Sequence, residues 1–209
     1  LKTYWMSKRT LSNLPCKKLN FKALNRGMIM SKSALLVIDL QNEYLPTGKL
    51  PLVNIEQAAA NAVKVIAKAR QLGTQVIHVQ HIADAESPIF EPSSNSIEFQ
   101  DTVKPQEDEA VIIKNHINAF LNTNLKEILD SNQVTELVVI GAMSHMCVDA
   151  AVRAASDFGY KVKVIHDACA TLDQEFNGIK VPAGHVHATL MAAFEFAYAQ
   201  VISTEDYVS

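Results

Sequence analysis

No aspartate or glutamate occurs before Asp39. Eight of the 19 basic residues fall in that opening stretch, from Lys2 to Lys32, which leaves 11 basic residues against all 22 acidic ones in the remainder. An acidic remainder argues against a general nucleic-acid binder, because phosphates need cations. No apolar run approaches the roughly 18 residues of a spanning helix, so no membrane partner is expected. Cysteine is sparse: Cys16, Cys147 and Cys169 form no CxxC pair and no zinc spacing. A count this low and odd points to a reducing, cytoplasmic setting in which any special cysteine works as a thiol. No internal repeat or second domain is visible, and 209 residues suit one domain of ordinary size.

Residues 1–33, basic and free of acids, are read as an extension outside the fold, with 34–209 as the folded domain. Two accounts of the extension stand. It is an upstream addition, since "MIMSKSALLVIDL" offers Met28 and Met30 as more natural starts. Alternatively it is an organelle-targeting peptide. It lacks the compact apolar segment of a secretory signal.

The rest alternates short apolar runs with helical patterns. "SALLVIDLQ", "TQVIHVQHI", "AVIIKNH", "ELVVIGAM", "KVKVIHDACA" and "QVISTEDYV" read as strands, several of them Val/Ile-rich like buried parallel strands. Residues 54–73 carry Ile55, Ala59, Ala62, Val63, Ile66 and Ala69 at helical spacing and stop at Gly73. Helices are also expected over 123–132, from Cys147 to about Gly159, and from Pro182 through "AGHVHATLMAAFEFAYA". Residues 83–109 read as an acidic loop. Such alternation predicts βαβ units: an α/β protein, a three-layer α/β/α Rossmann-like sandwich with a mainly parallel six-stranded sheet. Ligands of such sheets bind at the carboxyl ends of the strands.

Asp39, Lys114 and Cys147 each end or follow one of these strands. Taken singly, each has a bland reading: a turn cap, a solvated lysine, a core cysteine. Together they form a chemical set. A thiol with an ordinary pKa near 8.5 gives little thiolate at neutral pH. A helix N-terminus and a nearby ammonium favour the anion, and a carboxylate can take the proton and return it to a leaving amine. The expected site is therefore an activated Cys147 with Asp39 as base, beside backbone N–H groups between Met143 and Cys147 that can hold an oxyanion.

Four segments carry a resemblance: "ALLVIDLQNEY", "VIIKNHINAF", "GAMSHMCVDAAVRAASDFGY" and "VIHDACAT". In this order, over about residues 34–205, they resemble the isochorismatase-like cysteine hydrolases, a family that includes nicotinamidases and N-carbamoylsarcosine amidohydrolase. The resemblance implies an Asp39–Lys114–Cys147 triad and a cis peptide between Ala142 and Met143. It implies an oxyanion hole from the amides of Met143 and Cys147, and a supporting role for Gln41. Ser144 stands where many relatives have Thr.

Isochorismatases proper, which cleave an enol ether, commonly lack the cysteine. Cys147 therefore favours hydrolysis of a small-molecule amide or ureido C–N bond through a thioester. An enol-ether hydrolase and a binding domain without turnover are the alternatives. Tyr44, His81, Phe120, Ser144 and His145, with Glu43, are candidates to line or support the pocket. Nicotinamidases of the family carry Asp-x-His as part of a metal site. Here "HVQHIADAESP" offers His78, His81 and Asp84 without that order, so neither a metal nor a cofactor is expected. The partner is a small-molecule substrate. Relatives are often dimers or tetramers, so a homo-oligomer is implied.

Overall fold

The computed structural model describes residues 32–209. Residues 1–31 of the presumed extension lie outside the described residues. Its last two positions, Lys32 and Ser33, already belong to the first strand, β1 (Lys32–Ile38), where they pair with Val134 and Glu136.

The chain continues through α1 (Ile55–Gln71), β2 (Gln75–His81), β3 (Ala110–Lys114), α2 (Leu125–Ser131) and β4 (Val134–Ala142). It then forms α3 (Asp149–Asp157), β5 (Lys161–Ala170), β6 (Gln174–Phe176) and β7 (Ile179–Val181). It closes with α4 (Ala183–Ala197), β8 (Gln200–Ile202) and α5 (Thr204–Val208). Six strands form one sheet in the order β3-β2-β1-β4-β5-β8, and every pairing in it is parallel.

Strand β1 shows why the sheet is central. Its apolar residues run without a break because both faces are covered. Ala34, Leu36 and Ile38 face one core, shared with α2, α3 and α4. Leu35 and Val37 face the other, against α1. Each fully buried Leu or Ile contributes about 1.5–3 kcal/mol. Helix α1 turns Ile55, Ala58, Ala62, Val65, Ile66 and Ala69 onto the sheet, while Val63 is exposed. Gly73, at φ +66°, ends the turn that follows.

Two elements depart from the sequence reading. Residues 174–181, to which the sequence reading assigns no element, form the antiparallel hairpin β6–β7 around Asn177-Gly178. Asn-Gly is a strong hairpin signal, but the flanking strands are only three residues each. "QVISTEDYV" divides into β8 and α5, because Ser203 and Asp206 form a reciprocal capping box that starts a helix. Among the described residues no helix is long and apolar enough to cross a membrane.

Strand order reverses between β1 and β4, which places the switch point between Asp39 and the segment after Ala142. Gly141 brings these two strand ends together. Its φ is +125°, and a Cβ there would overlap the Ile38 carbonyl oxygen, so only glycine fits.

Candidate active site

Asp39 follows β1 in the left-handed region, at φ +50°, a conformation aspartate tolerates better than most residues. Its amide donates to the Val79 carbonyl and its carbonyl accepts from the Gln41 amide, which pins the bend. Lys114 ends β3. Cys147 lies in the wide helical turn Ser144–Val148 that precedes α3. In that turn Met143 O accepts from the amides of Met146 and Val148. These bonds leave the amides of Met143 and Cys147 out, and the Ala142–Met143 peptide is cis. Turns of this i→i+5 kind are frequent at functional sites.

The sheet brings the three residues together, and all three are buried. Lys114 Nζ lies 2.8 Å from Asp39 Oδ2. It donates to Cys147 Sγ at 3.2 Å and to His81 Nδ1 at 3.0 Å. An ammonium has three protons, so these three partners use all of them. Because Lys114 only donates, His81 Nδ1 must accept, and the neutral ring carries its proton on Nε2. Burial, with help from Lys114 and His116, holds the His81 imidazole down at about 4. Apart from the Lys114 ion pair and the adjacent thiol, neither Asp39 oxygen has a hydrogen-bond partner among the described residues.

The electrostatics correct one expectation. Lys114 and a helix N-terminus were expected to hold Cys147 as a thiolate. Burial pushes the thiol up instead, and the Asp39 carboxylate adds to the effect more than the Lys114 ammonium opposes it. Cys147 also sits within the first helical turn rather than before it. Burial raises the Asp39 carboxyl against the lowering effect of Lys114. For Lys114, burial opposes the charge, but the Asp39 carboxylate and the hydrogen bonds to Asp39 and Cys147 outweigh it and raise the ammonium. Burial thus favours the neutral thiol at Cys147, while Lys114 is held as the ammonium.

Gln41 does not touch the carboxylate. Its Nε2 donates to the carbonyls of His81 and Ile97, and its Oε1 accepts from the His81 amide. It thus clamps the end of β2, and through His81 it fixes Lys114. Tyr44 is buried, with Phe90 edge-on to its ring, and Phe90 is also edge-on to His81. Glu43 is buried with Oε2 accepting from the Phe90 amide, while Oε1 has no partner among the described residues.

Ser144 Oγ donates to the Ala170 carbonyl and contacts His187 Nδ1 at 2.9 Å. His145 Nδ1 lies 2.6 Å from Thr171 Oγ1. Both contacts tie the nucleophile turn to the end of β5. Phe120 is a correction: its ring packs edge-on to Phe158 and stacks with Tyr160 at the amino end of β5, away from the strand ends that carry the triad. Phe90, Thr171 and His187 were not singled out for the site. Phe90 lies in a loop with no periodicity to read, and the other two are placed by tertiary contacts alone.

His78 is fully buried and bonded to Glu109, so it does not join His81 and Asp84 in a ligand set. Among the described residues no cluster of three His, Cys, Asp or Glu side chains is arranged to hold a metal. Cys169 is a core residue: Sγ donates to the Ile165 carbonyl, and burial pushes the thiol up to about 12.

Comparison with known proteins identifies the family and the fold. The isochorismatase domain model matches residues 33–206. An uncharacterized isochorismatase family protein of Bacillus subtilis strain 168, YddQ, is 46% identical over 84% of this chain and 98% of its own length. The crystal structure of an isochorismatase from Pseudomonas putida KT2440 superposes with a TM-score of 0.80 at 37% identity, over 83% of this chain and 89% of that one. An N-carbamoylsarcosine amidase from Thermoplasma acidophilum superposes with a TM-score of 0.71 at 25% identity, over 83% of this chain and 97% of that one.

Proposed function

The chain belongs to the isochorismatase family of hydrolases, and from that premise we propose that it hydrolyses a small-molecule amide or ureido C–N bond through Cys147. The observation that carries this reading is the buried Lys114 ammonium, shared among Asp39, Cys147 and His81. A thiol beside an under-partnered carboxylate is a nucleophile–base pair. Cys147 supports C–N rather than C–O cleavage, and one relative of known structure is an amidase.

In the first step Asp39 accepts the Cys147 proton as Sγ bonds to the substrate carbonyl carbon. The amides of Met143 and Cys147 receive the developing oxyanion. The C–N bond then breaks, the nitrogen takes the proton from Asp39, and the amine departs, leaving a thioester. Water next gives a proton to Asp39 and attacks the thioester. The C–S bond breaks, the acid leaves, and the proton returns to Cys147. Lys114 keeps its charge throughout and holds both partners in place. Gln41 and His81 are positioning residues that act through Lys114.

The test is a screen of small amides and ureido compounds for amine release by the parent and by Cys147→Ala. Reactions quenched in acid would be examined by intact-protein mass. Amine release that Cys147→Ala loses, with an acyl adduct on Cys147 in the parent, supports the proposal. Release that persists in Cys147→Ala refutes it. Turnover of enol ethers but not of amides would favour the C–O alternative.

A further inference from the structure

Strand β5 bulges near its carboxyl end, and the bulge opens a cavity apart from the triad. Between Val139 and Gly141 of β4 lies one residue, whereas four lie between their partners Val164 and Cys169 on β5. A bulge re-aims the side chains it carries, and His166 and Asp167 fall in this one. They line a cavity of about 240 Å³ together with the first turns of α1 and α4. Val53, Ala58, Ala170 and Ala183 give it an apolar wall, and Gln57 and His187 add polar groups. Asp39, Lys114 and Cys147 do not line it. Part of its wall nonetheless holds the nucleophile turn. The Ala170 carbonyl accepts from Ser144 Oγ, Thr171 Oγ1 is bonded to His145, and His187 Nδ1 is bonded to Ser144.

We propose that this cavity binds a small primary amine as its ammonium ion, with Asp167 and His187 as acceptors and the apolar wall around the carbon skeleton. Asp167 Oδ1 accepts from the amide and the hydroxyl of Thr204, which leaves Oδ2 for the ligand. Ser144 gives its proton to the Ala170 carbonyl, so His187 Nδ1–H donates to Ser144 and the neutral ring keeps a lone pair on Nε2. Burial and the neighbouring His166 hold this imidazole low, so it is neutral at neutral pH. Charge selects a cation. Among the described residues that line the cavity, Asp167 is the only carboxylate and no lysine or arginine joins it. Lys64 reaches Asn61 Oδ1 at 3.3 Å but is not part of the wall. The helix dipoles do not reverse this. Helix α1 presents the side of Gln57, Ala58 and Asn61, not its first residues Ile55 and Glu56. At α4 the Ala183 amide is already bonded to Asp173 Oδ1 at 2.7 Å, and that carboxylate offsets the dipole. An ammonium on Nε2 also keeps the His187 proton on Nδ1, and so keeps Ser144 anchored. The hydrolysis proposed for Cys147 would release an amine, but the site does not depend on that chemistry.

The test is a proton–nitrogen NMR titration of the full chain at neutral pH with benzylammonium, benzyl alcohol and benzoate, three probes of similar size and different charge. Benzylammonium is expected to shift the amides of Gln57, Asp167 and His187 with a Kd on the order of 1 mM, and to bind roughly tenfold tighter than either other probe. Asp167→Asn should weaken it roughly tenfold. The new side chain keeps an oxygen for the Thr204 amide and hydroxyl, so the contact with α5 survives. Gln57→Trp changes an exposed position on the cavity wall, fills the space without touching Asp167, and should abolish the shifts. Benzoate or benzyl alcohol binding as tightly as benzylammonium overturns the proposal. So does an absence of shifts at these amides, or benzylammonium binding that both variants retain, which would place the amine elsewhere.

Discussion

Strand β2 carries two histidines three residues apart, and each belongs to a different buried ionic cluster. His78 joins Glu109 and Arg70, before the start of β3 and near the end of α1. Glu109 accepts two hydrogen bonds from the Arg70 guanidinium, one from the Gln106 amide and a contact from His78 Nε2. So many partners overcome burial and hold its carboxyl down at about 2. His81 joins Asp39, Lys114 and Cys147 at the carboxyl end of the sheet. There Asp39 has one cation shared with two other groups, and burial raises it. Asp39 is wholly buried and Glu109 only partly, and the two also differ in how fully each is satisfied. A satisfied network fixes structure, whereas a carboxylate left short of partners next to a thiol is ready to take a proton.

Substitutions should separate the two clusters. The largest effect is expected from Cys147→Ala: turnover falls by at least about 10⁴-fold while the circular dichroism spectrum and melting temperature stay close to the parent's. Steady-state kinetics beside a thermal melt would check both halves. Next is Lys114→Met, which leaves the Asp39 carboxylate buried without a counter-ion. It should destabilise the fold by about 3–5 kcal/mol in urea denaturation, and adding Asp39→Asn should recover much of that loss.

Glu109→Gln should cost about 2–3 kcal/mol of stability with kcat and KM unchanged, since its partners lie away from the chemistry. Its pH signature is specific. A carboxyl depressed in the folded state stabilises above its ordinary value of 4.5, and that contribution is lost as pH falls toward about 2. Urea midpoints across this range should fall more steeply in the parent than in Glu109→Gln. The smallest effect is expected from His81→Ala, which frees one Lys114 proton and loosens the ammonium. kcat should drop roughly tenfold to 100-fold with little change in KM. His81→Gln, whose amide oxygen can accept from Lys114, should recover part of the loss.

The same contrast governs what the sequence disclosed. Asp39, Lys114 and Cys147 were legible because each stands at the end of an apolar strand, and parallel strand ends must share an edge. The sheet and its flanking helices were legible from unbroken apolar runs and helical spacing. The Glu109–Arg70–His78 cluster was not, because it joins a loop, a helix end and a strand that share no pattern. Phe120 was misplaced because a loop residue's neighbours depend on how the loop folds back. The direction of the Cys147 shift was missed for a related reason. Local charge pointed to a thiolate, but burial, which only the fold supplies, outweighs it.

The central claim is that Cys147 is a buried thiol whose proton is governed by Asp39 and Lys114 in opposite senses. The most direct measurement is the rate of Cys147 alkylation by iodoacetamide against pH in the parent, Asp39→Asn and Lys114→Ala, resolved from Cys16 and Cys169 by mass spectrometry. The parent should label slowly at neutral pH and faster as pH rises. Removing the Asp39 charge, which raises the thiol, should speed labelling at neutral pH while turnover falls. Removing Lys114, which lowers the thiol, should slow labelling further. Rates indifferent to both substitutions, or a parent that labels rapidly well below pH 8, would contradict the account.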